Sequence, residues 1–145
     1  MATMPASVAE SPPSPAPILF MHGTEDPIIP YNDSTIFAGP GRSFEVLNVP
    51  DTVAFWAALN GCDNDLPEQE YLPDSSPTDG TLTLRVTYRN AEEKPCVVLY
   101  RVEGGGHTWP GGDEFWPRFI VGRVSRDFSA SEAIWNFFTN WSNTP

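Results

Sequence analysis

Basic residues are scarce in this chain: eight Lys and Arg stand against 19 Asp and Glu among 145 residues, a formal net charge of -11. Nucleic-acid binding needs a basic face that neutralises phosphates and releases counterions, so the charge argues against a nucleic-acid partner. Long apolar runs are missing as well. Residues 1–17 hold small residues and prolines, without the basic start and apolar stretch of a signal peptide and without a membrane span. They read as a Pro-rich leader or inter-strand loop ahead of residues 18–145, whose length and composition suit a partial domain as well as a small whole one, with no membrane partner. Cysteine is nearly absent: Cys62 and Cys96 lie too far apart for a C-x-x-C redox or zinc motif. Carboxylates are plentiful, but Asp63, Asp65, Asp74, Asp79, Glu92 and Glu93 fall in loops without the ligand spacing of a calcium loop. They read as ordinary surface charge, and neither a metal nor another cofactor is expected.

What is present is concentrated in two segments. Val97 to Val102 is a continuous apolar run, the pattern of a strand covered on both faces. Gly104, Gly105 and Gly106 follow, and three glycines allow a sharp turn at the sheet edge that projects His107. A glycine turn beside a histidine can also be nothing more than a turn. The second segment, I-L-F-M-H-G-T-E-D-P-I-I-P-Y over 18–31, is again an apolar strand running into a loop, and that loop carries Asp26. Functional groups in open α/β sheets gather at the carboxyl ends of the strands, so Asp26 and His107 can meet there. An aspartate that accepts a hydrogen bond from imidazole Nδ1 fixes the tautomer and stabilises the imidazolium formed during acyl transfer.

The remaining scaffold is a coarse α/β pattern. Asp51 is a plausible N-cap for a helix through Asn60, with Val53, Trp56 and Leu59 on one face and Gly61 as its stop. Leu66 to Asp79 reads as a long surface loop rich in proline. Thr81 to Arg89 alternates Leu82, Leu84, Val86 and Tyr88 with polar residues, a strand with one wet face, antiparallel to the Val97 strand across the Asn90–Pro95 turn. Ser129 and Glu132 make a capping box for a last helix whose Ile134, Trp135, Phe137 and Phe138 are expected to pack on the sheet.

The motifs H-G-T-E-D-P-I-I-P-Y, F-W-A-A-L-N-G-C and V-E-G-G-G-H-T-W-P-G together resemble the polyhydroxybutyrate depolymerase and feruloyl esterase-like family of secreted α/β-hydrolases, with similarity from Pro17 to Phe138. The resemblance implies the C-terminal portion of an α/β-hydrolase fold: a mostly parallel sheet with one added antiparallel strand and helices packed on it. By motif position it makes Asp26 the acid and His107 the base of a Ser-Asp-His triad that hydrolyses carboxylic esters, and the chain order Asp then His agrees. It also implies a Cys62–Cys96 disulfide and an extracellular location, the alternative for the cysteines being two separate buried thiols. His22 takes a scaffold position. Trp109 either lines the acyl or alcohol pocket or anchors its loop.

The departure from the family is the nucleophile. No G-x-S-x-G occurs; Gly41-Arg42-Ser43-Phe44-Glu45 lacks the second glycine and follows no apolar strand, and Ser34, Ser125, Ser129 and Ser131 have no such setting. The family's oxyanion hole would also lie upstream of Met1. An ester substrate is therefore expected only once the missing half is supplied, and the chain alone should be inactive or nearly so. The competing expectation is a non-catalytic module that forms a homodimer or pairs with another chain through an exposed strand edge.

Overall fold

The computed structural model describes residues 4, 5, 7, 14–62 and 66–142. Its centre is a four-stranded sheet made of β2 (Ile18–Gly23), β5 (Glu68–Tyr71), β6 (Leu82–Arg89) and β7 (Pro95–Glu103), in the spatial order β2-β7-β6-β5. A smaller sheet places β1 (Met4–Pro5) and β3 (Thr35–Phe37) on either side of β4 (Ser43–Leu47). The helices are α1 (Val49–Leu59), α2 (Arg118–Val121) and α3 (Ala130–Ser142). Met4 and Pro5 pair with Leu47 and Val46, so part of the Pro-rich leader is strand. Residues 1–3, 6 and 8–13 of that leader lie outside the described residues, as do Asp63 and Asp65.

The chain is a mixed α/β fold, and the expected mostly parallel sheet needs correction. Among the described strands only β2 and β7 run parallel, in register from Ile18↔Val97 to Gly23↔Val102. β6 is antiparallel to β7, and β5 is antiparallel to β6. The second antiparallel ladder comes from the stretch expected as a loop, Leu66 to Asp79. Its strand Glu-Gln-Glu-Tyr is exposed throughout, so no buried alternation marks it. Its antiparallel ladder with β6 holds it, and two surface ion pairs flank that ladder: Arg85 pairs with Glu70, and Arg89 Nη2 lies 2.9 Å from Glu68 Oε2.

Cross-strand partners also revise β6. Thr83 and Thr87 are buried, and the segment after α2 covers Thr83: its Oγ1 donates to Asp127 Oδ2 at 2.8 Å and lies 3.3 Å from Ser125 Oγ. The face is mixed: its threonines are buried, while Arg85 and Arg89 between and beyond them stay partly exposed and pair with Glu70 and Glu68. β7 is buried through Cys96–Leu99 and again at Val102, as its apolar run foretells.

The main core lies between the sheet and α1, where Val49, Val53 and Ala57 meet Leu84, Val86, Val97 and Leu99 with Trp56 packed alongside. The helix starts earlier than expected. Asn48, not Asp51, is its N-cap: Asn48 Oδ1 accepts the Asp51 N–H at 2.8 Å, and Pro50 sits in the first turn where its missing N–H is harmless. Gly61 ends the helix at φ 65°.

Cys62 and Cys96 form a disulfide across a Cα–Cα distance of 6.5 Å, tying the end of α1 to the start of β7. The bridge closes a loop of 34 residues. Its reduction is expected to lower stability by about 4 kcal/mol, a fall in Tm of roughly 13 °C for a domain this size. Thermal unfolding with and without dithiothreitol measures this; identical melting would mean that the bridge contributes nothing.

α3 corrects one further expectation. Ser129 Oγ does accept the Glu132 N–H, at 3.3 Å, so the cap is real. Only part of the expected set packs: Ile134 and Phe137 are half-buried, while Trp135 is 71% and Phe138 51% exposed.

Candidate active site

Because β2 and β7 are parallel and end level with each other, the loops that follow them leave the sheet side by side. They are stitched together by backbone. Thr24 N–H donates to Val102 O and Glu25 N–H to Gly105 O, both at 2.9 Å, and Gly104 N–H donates to Thr24 Oγ1 at 3.0 Å. A third segment closes the cluster: Gly106 N–H reaches Arg123 O, and His107 N–H reaches Val121 O at 2.6 Å. Gly104 has φ 72°, a conformation side chains disfavour, and a Cβ there would also press on Gly80 O at 2.5 Å.

This framework brings Asp26 and His107 together. His107 Nδ1 lies 2.9 Å from Asp26 Oδ2. The loop after Asp26 folds back onto its carboxylate, so that Oδ1 accepts the N–H groups of Ile28 and Ile29, each at 2.8 Å. Pro27 stiffens that turn. The Asp26 side chain is only 2% exposed, and its two oxygens do different work: one is fixed by backbone and the other faces the imidazole. A carboxylate can only accept, so His107 Nδ1 carries the proton and donates it. Nε2 is left as the acceptor, with no hydrogen bond among the described residues. The His107 side chain is 23% exposed and faces a cleft of about 220 Å³ lined with Met21, Gly23, Val102, Trp109 and Pro110.

His22 lies beneath the pair, with no exposed side-chain surface. Its Nε2–H donates to Ile29 O at 2.8 Å and stands 3.5 Å from Asp26 Oδ2. The same Ile29 whose N–H holds Asp26 is thus held by His22 through its carbonyl. Burial pushes the His22 pKa below its ordinary value, ahead of the opposing effects of Ile29 and Asp26, so the neutral ring is the folded form. The unfolded chain takes up a proton near the ordinary value of about 6.5, while the folded chain does not until lower pH. Stability contributed by neutral His22 is therefore present above about pH 6.5 and lost as pH falls below it, at up to about 1.4 kcal/mol per unit. Urea midpoints at pH 7.5 and 5.5 should fall further in the parent than in His22→Gln, whose amide can still donate to Ile29. Equal falls would contradict this role.

Trp109 sits at the rim of the cleft, more than half exposed, with Nε1 donating to Ser131 Oγ at 3.3 Å. It lines the cleft and is tied to α3. The serines do not complete the pair. Ser43 starts β4 in the other sheet; Ser125 is buried against Thr83 and Asp127; Ser129 caps α3; Ser131 receives Trp109; Ser34 lies beside β4, its carbonyl bonded to Val46 N–H. No serine hydroxyl bonds His107 among the described residues.

Sequence reasoning passed over Thr24, Glu25 and Arg123. Arg123 Nη1 donates to Glu25 Oε2 at 2.7 Å and Thr108 Oγ1 donates to Arg123 O at 2.8 Å, so residues far apart in the chain brace the loops on both sides of the pair. An arginine among only eight basic residues was the available signal, but nothing in its surroundings names its partner.

No protein-family profile matches the chain. It is 30% identical over 141 residues to the Nocardia uniformis subsp. tsuyamanensis protein named "Putative esterase NocK", a match covering 92% of this chain and 40% of that protein. It is 29% identical over 105 residues to "Feruloyl esterase B" of Piromyces equi, covering 72% of this chain and 18% of that protein. The chain thus spans less than half the length of these relatives, and it is esterase-like in sequence.

Proposed function

We propose that this chain carries the acid and base of a serine carboxylesterase site and corresponds to the C-terminal portion of an α/β-hydrolase fold related to polyhydroxybutyrate depolymerases and feruloyl esterases. The observation that supports this reading best is the Asp26 Oδ2 to His107 Nδ1 contact at 2.9 Å, made by loops that follow two parallel strands. In this reading Asp26 orients His107, and Nε2 takes the proton of a serine hydroxyl as it attacks the ester carbonyl. The imidazolium then returns the proton to the leaving alkoxide, and a second cycle with water frees the acid and regenerates the serine. Trp109 supplies apolar surface to the acyl or alcohol group. The disulfide fits an oxidising compartment, so we place the protein outside the cell.

The serine and the oxyanion donors are outside this sequence, and they supply two of the largest contributions to such a reaction. The chain alone should therefore hydrolyse p-nitrophenyl acetate no faster than free imidazole does. Turnover by the chain alone that disappears in His107→Ala would overturn this reading.

A further inference from the structure

We propose that the groove between α3 and the outer strands of the sheet binds a small carboxylate with an apolar body, its head over Thr87 and its body on Val98, Tyr100 and Phe137. The groove has a volume of about 330 Å³ and shares no lining residue with the His107 cleft. Small-molecule sites start at roughly 300 Å³, so a compact acid has room there.

The strand register builds the groove. Thr87 stands across from Val98 on one side and Glu68 on the other, and Arg85 stands across from Tyr100, so these side chains share the sheet face on which α3 lies. Val98 and Tyr100 make an apolar floor, and Phe137 of α3 adds a wall. Tyr100 stacks on Phe128 with ring centroids 4.8 Å apart, which fixes the floor before any ligand arrives. The face extends from α3 toward β5, the end of the sheet opposite β2.

Thr87 carries the inference. The residue is 7% exposed, and its side chain lines the groove. Thr83, in the same row, bonds Asp127 and Ser125, whereas the Thr87 hydroxyl has no hydrogen-bond partner among the described residues. A nearly buried hydroxyl without a partner costs free energy, and a ligand oxygen that accepts its proton removes that cost.

Charge selects the ligand's head. Three of the eight Lys and Arg of the chain, Arg85, Arg89 and Lys94, line this groove against one carboxylate, Glu68. In a chain of net charge -11 that is a locally positive surface, and it favours an anion. The glutamates paired with these cations do not close the site. Glu68, Glu70 and Glu92 have side chains more than half exposed, and surface pairs are weak, so an incoming anion joins the cations without stripping a buried charge. The same glutamates leave little surplus charge for a dianion, and a planar carboxylate matches the guanidinium fork. The apolar floor then asks for an alkyl or aryl body. Ester hydrolysis releases an acid of this class, so on the esterase reading the groove holds product; the binding itself does not depend on that reading.

Benzoate is the probe, titrated into the 145-residue chain and followed by NMR. Saturable binding is expected, with shifts gathered at Arg85, Thr87, Arg89, Val98 and Phe137. Benzyl alcohol, which keeps the ring without the charge, and acetate, which keeps the charge without the ring, should each bind roughly tenfold more weakly or worse. Arg85→Gln combined with Arg89→Gln should weaken benzoate by a similar factor. Thr87→Val removes only the hydroxyl: it should weaken benzoate about fivefold and leave Tm at or above that of the parent, because the free chain loses no hydrogen bond. His107→Ala should bind as the parent does. No saturable shift at the groove, equal affinity for benzyl alcohol, or binding abolished by His107→Ala and indifferent to the groove variants would overturn the proposal. Benzoate binding of this pattern in a chain whose reconstituted form hydrolyses no ester would remove the product role and uphold the groove.

Discussion

Asp26→Asn is expected to leave the loop standing and to reverse the tautomer of His107. Asparagine Oδ1 can still accept the Ile28 and Ile29 N–H groups, now met by Asp26 Oδ1 at 2.8 Å. The position of Oδ2 is then taken by an NH2 group, a donor facing His107 Nδ1 across 2.9 Å. Two donors cannot share that contact, so Nδ1 must give up its proton and Nε2 must hold it. A ring protonated at Nε2 cannot receive a serine proton, and kcat of a reconstituted esterase should fall about 10⁴-fold. The tautomer can be read without any substrate by nitrogen NMR of the isolated chain. Parent His107 should show a protonated Nδ1 and a bare Nε2, and Asp26→Asn the reverse. The same tautomer in both proteins would remove Asp26 from its orienting role.

Gly106→Ala is the second change with a large expected effect, on stability and on the site together. A Cβ on Gly106 would overlap the Val121 carbonyl oxygen and the Gly122 backbone. These atoms belong to the segment that receives the His107 N–H, so no rotamer change relieves the contact. The backbone must move, at a cost on the order of 3–4 kcal/mol, and the loop presenting His107 moves with it. Denaturant unfolding should show the loss, and the protonated Nδ1 resonance of His107 should weaken or shift. A variant as stable as the parent with that resonance unchanged would mean that the close approach at Gly106 is not needed.

The parts legible in the sequence are those whose signal is local. The apolar run of β7, the glycines after it and the acid after β2 each announce themselves within about a dozen residues, and the structure brings His107 and Asp26 into contact. Ser129 is readable as a cap because capping is settled within one helical turn. Asn48 was missed in favour of Asp51 because both are good caps and Pro50, permitted in the first turn, looks like a boundary.

Other features depend on partners remote in sequence. β5 reads Glu-Gln-Glu-Tyr and has no apolar period; it becomes a strand through its ladder with β6, where Arg85 and Arg89 meet its two glutamates. Thr83 of β6 looks wet until Ser125 and Asp127 are seen bonding it. Strand direction is equally remote: local periodicity cannot tell a parallel from an antiparallel neighbour, so the sheet came out with one parallel pair rather than mostly parallel. The apolar residues of α3 are expected to pack together, yet only Ile134 and Phe137 turn toward the domain while Trp135 and Phe138 stay exposed, because four apolar residues in five cannot share one helix face.

Ester turnover in the mixture of this chain with the portion of its Nocardia relative outside the matched region tests the central claim most directly. Hydrolysis of p-nitrophenyl acetate should appear only when both polypeptides are present and should vanish when the chain carries His107→Ala. Turnover by the mixture that survives His107→Ala would contradict the assignment of His107 as the base that serves an external serine.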